Sequence, residues 1–218
     1  MKNSYSSLMT HAITVAALYF CLFAPLPTIA QTVNYDRPFL DGEVRAVGTD
    51  EVFFAEGKHS GKTEYNKINF EVGMYILKAK TMKAKKALEI KTGDMDYTIV
   101  LNLRCMHEMY ISKGKTILFK LQNGTNMQFE TLDDIDKSYD AQRLGRLSGW
   151  YRNRISFGLT RLQLQKLING KVIKIRVVDN LTNRHDAEVN DNQFSSILSQ
   201  ELKLIEDRLK NNDDAEGF

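Results

Sequence analysis

The chain has 218 residues, with 30 Lys and Arg against 27 Asp and Glu and a formal charge of +3. That near-balance argues neither for nor against a polyanionic partner, and no nucleic-acid partner is expected. Two cysteines are too few for a disulfide-stapled module, so the fold must rest on a buried apolar core.

Met1 to Ala30 reads as a secretory signal peptide. Lys2 supplies the positive start, Ala12 to Ala24 is almost wholly apolar, and Thr28-Ile29-Ala30 is a small-residue cleavage site. The apolar run is short for roughly 30 Å of hydrocarbon, so no membrane span is expected once the signal is removed. Phe20 before Cys21 is bulky where a lipoprotein signal has a small residue. The remaining 188 residues fit one ordinary domain, with Cys105 as its sole cysteine and 29 basic residues, Lys2 gone, against 27 acidic. The expected location is secreted or periplasmic.

Residues 31–67 are punctuated by Asp41-Gly42, Gly48, Gly57 and Gly61 and read as an irregular N-terminal region, with a short strand at Glu51 to Ala55. A single β-rich domain is expected over 68–210. Ile68 to Val72 alternates. Lys78 to Lys86 carries five lysines and reads as a solvated edge or loop. In the run Tyr97 to His107, residues Tyr97, Ile99, Leu101, Leu103 and Cys105 share one face of a half-buried strand.

The organising stretch is Gly114 to Glu130, where two apolar-rich runs flank Asn123-Gly124. A two-residue loop would set apolar against polar on each face. A three-residue loop, Gln122-Asn123-Gly124, sets Phe119 opposite Met127 and Ile117 opposite Phe129. It predicts a type I turn with Gly124 left-handed in a bulge.

Leu132 to Gly149 reads as a long polar connection, and Tyr151 to Phe157 resumes alternation. Thr160-Arg161-Leu162-Gln163 is a capping box opening a short helix that stops at Asn169-Gly170. Val172 to Val178 is strand-like. Phe194, Ile197, Leu198, Leu202, Ile205 and Leu209 form a helical stripe from a start near Asp191, followed by a polar tail over 211–218. The fold class is mainly β (α+β): an antiparallel sandwich-like sheet, a short helix before the last strand and a C-terminal amphipathic helix.

The segments KGKTILFKLQNGTNMQF and LQLQKLINGKVIKIRV together resemble a pattern in small secreted proteins of unknown function from Bacteroidetes. The resemblance covers Leu88 to Val178 and implies secretion and a β-rich fold. It carries over no catalytic residue.

Chemistry-bearing residues are sparse. Cys105 with His185 and Asp186 could form a thiol nucleophile with its base, against the reading of a buried cysteine and a loop histidine. His59, His107 and His185 lack metal-ligand spacing. Asp134, Asp136, Ser138 and Asp140 alternate as at the start of a calcium loop, but Tyr139 stands where glycine belongs and Gly145 where a bidentate glutamate belongs. No phosphate-cradling glycine loop is present, and no cofactor is expected. Asn123-Gly124-Thr125 and Asn180-Leu181-Thr182 match the glycosylation sequon.

The candidate binding surface is Arg143, Arg146, Trp150, Arg152 and Arg154, where arginine and a large amphipathic ring coincide. It suits an anionic ligand, a glycan or a protein. The expected function is a non-enzymatic binding or structural module. The alternative is a secreted hydrolase built on Cys105 and His185.

Overall fold

The computed structural model describes residues 32–60, 67–87, 89, 95–106, 108–140, 150–190 and 192–215. Among the described residues, eleven strands form one antiparallel sheet. They are β1 (Val33–Phe39), β2 (Val44–Thr49), β3 (Val52–His59), β4 (Lys67–Ala79), β5 (Met95–Cys105), β6 (Thr116–Leu121), β7 (Asn126–Glu130), β8 (Asp136–Asp140), β9 (Trp150–Leu159), β10 (Val172–Val178) and β11 (Arg184–Glu188). The helices among the described residues are α1 (Met82–Ala87), α2 (Arg161–Asn169) and α3 (Gln193–Ala215). The spatial order is β7-β6-β10-β11-β3-β4-β5-β9-β8, with β2 on β4 and β1 on β2.

Side-chain alternation explains the core. Along β4, Ile68, Phe70, Val72, Met74 and Ile76 are fully buried, and along β5 so are Ile99, Leu101, Leu103 and Cys105. The sheet folds over on itself. Phe119 of β6 lies 5.4 Å from Phe157 of β9, ring centre to ring centre, although five strands separate them in the sheet order. Phe129 closes the same contact at 5.0 Å, and Phe194 of α3 reaches Phe54 at 4.9 Å. The two halves of one sheet thus face each other as in a sandwich, with α3 against β4, β2 and β3.

The β6–β7 hairpin has the predicted register. Phe119 pairs with Met127 and Ile117 with Phe129. Leu121 accepts from Gly124 N–H at 3.0 Å, and Gly124 has φ +84°, which a side chain would strain. The capping box of α2 is also present, Thr160 accepting from Gln163 N–H and Gln163 from Thr160 N–H. At its other end, Gly170 keeps a helical φ of −82° and Lys171 takes the left-handed turn. Gly170 is needed for space instead: a Cβ there would stand 2.6 Å from Leu121 Cδ1.

Four expectations change. Over 32–60 the chain is not irregular: β1 and β2 join the sheet, and the short strand expected at Glu51 to Ala55 falls in the longer β3. Gly48 and Gly57 sit inside strands, where Tyr75 and Asp186 occupy the space a side chain would need, and Gly42 turns the chain from β1 to β2 with φ +85°. The lysine run contains α1, whose Ala84 packs against Val44 and Ala79. The polar connection after Leu132 contains β8, paired with β9. Finally, α3 continues to Ala215, so the tail from 211 begins as helix. After β10 the chain adds β11, which bonds to β3.

β2 and β3 share one edge of β4. β2 pairs with Tyr75 to Ala79, and β3 with Lys67 to Val72. At the changeover the Thr49 hydroxyl accepts from Met74 N–H at 3.1 Å, satisfying a donor that neither strand covers.

Candidate functional site

β3, β5 and β10 end, and β4, β9 and β11 begin, on one rim of the sheet. The segment after β5 crosses this rim. Met109 N–H donates to Asn153 Oδ1 of β9 at 3.1 Å, and Ser112 N–H donates to Asn180 Oδ1 at 3.0 Å, while Met109 and Ile111 are buried beneath.

Inside the rim lies a buried polar array. His59 and His185 are cross-strand partners, their Nδ1 atoms 3.1 Å apart. His185 Nε2 stands 3.2 Å from Asp179 Oδ2. Asp179 sits in the turn before β11 and also accepts from the N–H groups of Leu181 and Asn183 and from the Asn183 side chain. Burial alone would push the Asp179 carboxyl up. The donors from Asn183 and His185 outweigh it and hold the carboxyl below its ordinary range.

These bonds assign the tautomers. An ionised Asp179 only accepts, so His185 donates through Nε2. Neutral His185 then accepts at Nδ1, and His59 donates from its own Nδ1. His185 is fully buried and His59 is 9% exposed, so His59 is the end of the array nearer solvent.

The outer face of β4, β5 and β9 is a polar ladder. Glu71 accepts from Asn102 at 2.7 Å and from Arg104 at 3.2 Å. Arg104 and Arg152 are register partners on neighbouring strands, as are Asn102 and Arg154. Arg152 is exposed, and Arg154 is tied to Glu51. Of the candidate binding residues, the structure therefore brings Arg152 and Arg154 together on the outer face of β9. The backbone of Trp150 begins that strand, pairing with Asp140. Arg143 and Arg146 lie outside the described residues, as does His107.

Cys105 is fully buried beside Asn153, whose side-chain amide lies 3.4 Å from its sulfur and 3.1 Å from the Leu103 carbonyl oxygen. β3 and β4 stand between Cys105 and His185, about 14 Å along the sheet at the usual strand spacing. Both ring nitrogens of His185 are engaged, by His59 and Asp179, and Asp186 points to the other face, where Arg176 grips it through two bonds of 2.7 and 2.6 Å. The base and orienter read from His185-Asp186 are thus on opposite faces of β11. His185 is a strand residue, not a loop histidine.

The alternating acids do not form a loop. Asp136 to Asp140 is strand β8, and Asp134 Oδ1 accepts from Lys113 N–H at 2.9 Å. Among the described residues, no three His, Cys, Asp or Glu side chains converge as a metal site.

Sequence reasoning missed Glu201. It is fully buried on α3, and neither carboxyl oxygen has a hydrogen-bond partner. Burial pushes it up to about 9, with Thr49 tempering the shift and the Glu51 charge adding to it. The signal was its position, three residues after Leu198 and four before Ile205, inside the apolar stripe. Asp179 was missed as well. Its sign was the Asp-Asn-Leu-Thr-Asn turn chemistry directly after a strand. The pairing of His59 with His185 spans 126 residues and has no local sign.

Comparison with family models, with characterised proteins and with solved structures finds no match to this chain.

Proposed function

We propose that the protein is an exported, non-enzymatic binding module whose ligand surface is the arginine-bearing outer face of β5 and β9 and the rim beside it. The observation that carries this reading is Arg154. Its side chain is 43% exposed while its guanidinium is anchored by Glu51, which is only 13% exposed. A cation held from behind and open in front is preorganised, so a ligand need not meet the cost of ordering it. Arg152 stands exposed two residues away on the same strand face, and Arg104 lies beside it in register. Guanidinium pairs suit carboxylates and sulfates presented by acidic glycans or protein surfaces. Export rests on the Met1–Ala30 signal. Among the described residues, no helix is long and apolar enough to cross a membrane.

The test is the double variant Arg152→Ala with Arg154→Ala, assayed on a panel of acidic glycans and acidic peptides. The expected result is at least about tenfold weaker binding with an unchanged melting temperature. Wild-type binding should also weaken as salt rises from about 0.05 to about 0.5 M. Equal binding by the double variant removes this surface from consideration. N-terminal sequencing of exported protein should begin at Gln31; finding Met1 refutes export by cleavage.

A further inference from the structure

The β1–β2 turn and α1 are joined at one end of the sheet. Lys80 N–H donates to the Glu43 carbonyl at 2.8 Å, and the Thr81 hydroxyl donates to Glu43 Oε2 at 3.2 Å. Thr81 also caps α1, its hydroxyl accepting from Ala84 N–H at 3.1 Å, while Ala84 packs with Val44 and Ala79. Turn and helix therefore form one fixed tip.

Two large apolar residues are exposed on this tip, Leu40 at 51% and Met82 at 77%. Ala84 is the buried residue of α1. Met82 stands about 160° around the helix from it and so points away from the core. Lys86, one turn on, shares the side of Met82, and Lys83 and Lys85 flank it. Lys83 and Lys86 are exposed and Lys85 is half-buried. Leu40 is the odder residue. Glu43 N–H donates to the Leu40 carbonyl at 3.0 Å, which makes Asp41 and Gly42 the central pair of the turn. Their φ values of +53° and +85° suit aspartate and glycine. Leu40 lies outside that pair and is left-handed too, with φ +48°. A bulky side chain is strained there, where asparagine or glycine would rest. Neither turn chemistry nor burial accounts for an exposed leucine at this position.

We propose that the tip docks on an anionic lipid surface, with Leu40 and Met82 entering the headgroup layer and Lys83, Lys85 and Lys86 meeting the lipid phosphates. Charge and shape choose this occupant. α1 carries those three lysines and no acid. The acids of the tip are Asp41, Glu43 and Glu89, and Glu43 is held by Thr81. Met82 and Leu40 project from the outer side of a helix and from a turn, an arrangement that a soft layer can take up without a matching hollow. The protein would lie on the membrane, since no described helix is long and apolar enough to cross it. β4 begins at the rim described above and ends beside α1, so the tip is at the other end of the sheet. This reading and the arginine surface fail independently.

The test sediments the chain from Gln31, which holds every described strand and helix, with vesicles of phosphatidylcholine alone or mixed equally with phosphatidylglycerol. The expected result is at least about tenfold tighter binding to the mixed vesicles, lost in Lys83→Gln with Lys86→Gln. Met82→Ser, a change on an exposed side chain, should weaken binding about fivefold. Leu40→Asn separates function from folding. Asparagine accepts the left-handed backbone, so vesicle binding should fall while the melting temperature rises. Arg152→Ala with Arg154→Ala should bind the vesicles as the wild type does. Vesicle binding indifferent to both Leu40→Asn and Met82→Ser, or lost in the arginine variant instead, overturns the proposal. Binding of dextran sulfate through the lysines without binding of vesicles assigns the tip to a soluble polyanion and overturns it as well.

Discussion

Glu201 occupies a place where leucine would complete the apolar stripe of α3. The folded protein keeps its carboxyl protonated up to about 9, whereas an exposed glutamate releases the proton near 4.5. The unfolded chain thus loses a proton that the folded chain retains. Stability is full below the lower value and falls as pH rises toward the upper one, by about 1.4 kcal/mol per pH unit. Glu201→Leu should remove that slope and stabilise the protein at pH 8 by roughly 3 kcal/mol, since a buried unpaired acid costs more than an apolar side chain of similar size. Urea unfolding of both proteins between pH 5 and 9 measures it. Curves that stay parallel across this range would show that Glu201 ionises in the fold as it does in the unfolded chain.

At the scale of elements, α2 shows how packing can reverse a propensity. Alanine is the better helix former, and substituting glycine by alanine near a helix end often stabilises. Here Gly170→Ala should cost about 1 to 3 kcal/mol, because its Cβ meets the Lys166 carbonyl and Leu121. Thr160→Ala at the other end should cost about 1 kcal/mol through loss of the cap. Thermal melts of the two variants decide it. A neutral or stabilising Gly170→Ala would mean that the hairpin yields to α2. The hairpin itself was legible because its register depends on residues within one short stretch. α1 and β8 were not, since lysine and aspartate runs read the same whether they lie in a helix, an edge strand or a loop.

Across the whole molecule, the sheet has a narrow waist. β11 and β3 join its two halves through three register pairs, Ala187 with Gly57, Asp186 with Lys58 and His185 with His59. The imidazole pair is the polar clasp of that seam, with Asp179 fixing its tautomers from one side. On the opposite face of the same strands stand Lys58, Arg184 and Asp186, with Lys174 and Arg176 from β10. Arg176 beside Asp186 holds that carboxyl below its ordinary range. Removing His185 strips a donor from buried Asp179 and the partner from His59. His185→Ala should therefore cost about 3 kcal/mol or more. Backbone amides of β10 and β11 should lose exchange protection together with the end of β3, while β4, β5 and β9 keep theirs. Uniform loss across the sheet would mean that the waist is no weaker than the rest.

What the sequence determined by itself is what nearest neighbours along the chain can settle. That includes the alternation that buries Ile99, Leu101 and Leu103, the three-residue loop that sets Phe119 on Met127, and the cap that starts α2. Each rests on side-chain period or turn chemistry within about ten residues. Tertiary structure decided the rest. It drew β1 and β2 out of a glycine-punctuated region and lengthened β3, because β2 and β3 find partners on β4 and β11, and β1 on β2, and not in their own alternation. It placed His59 on His185 and Glu201 beneath β2, contacts between segments that carry no sign of one another. It also set the β1–β2 turn beside α1, since only the pairing of β2 with the end of β4 brings the two together.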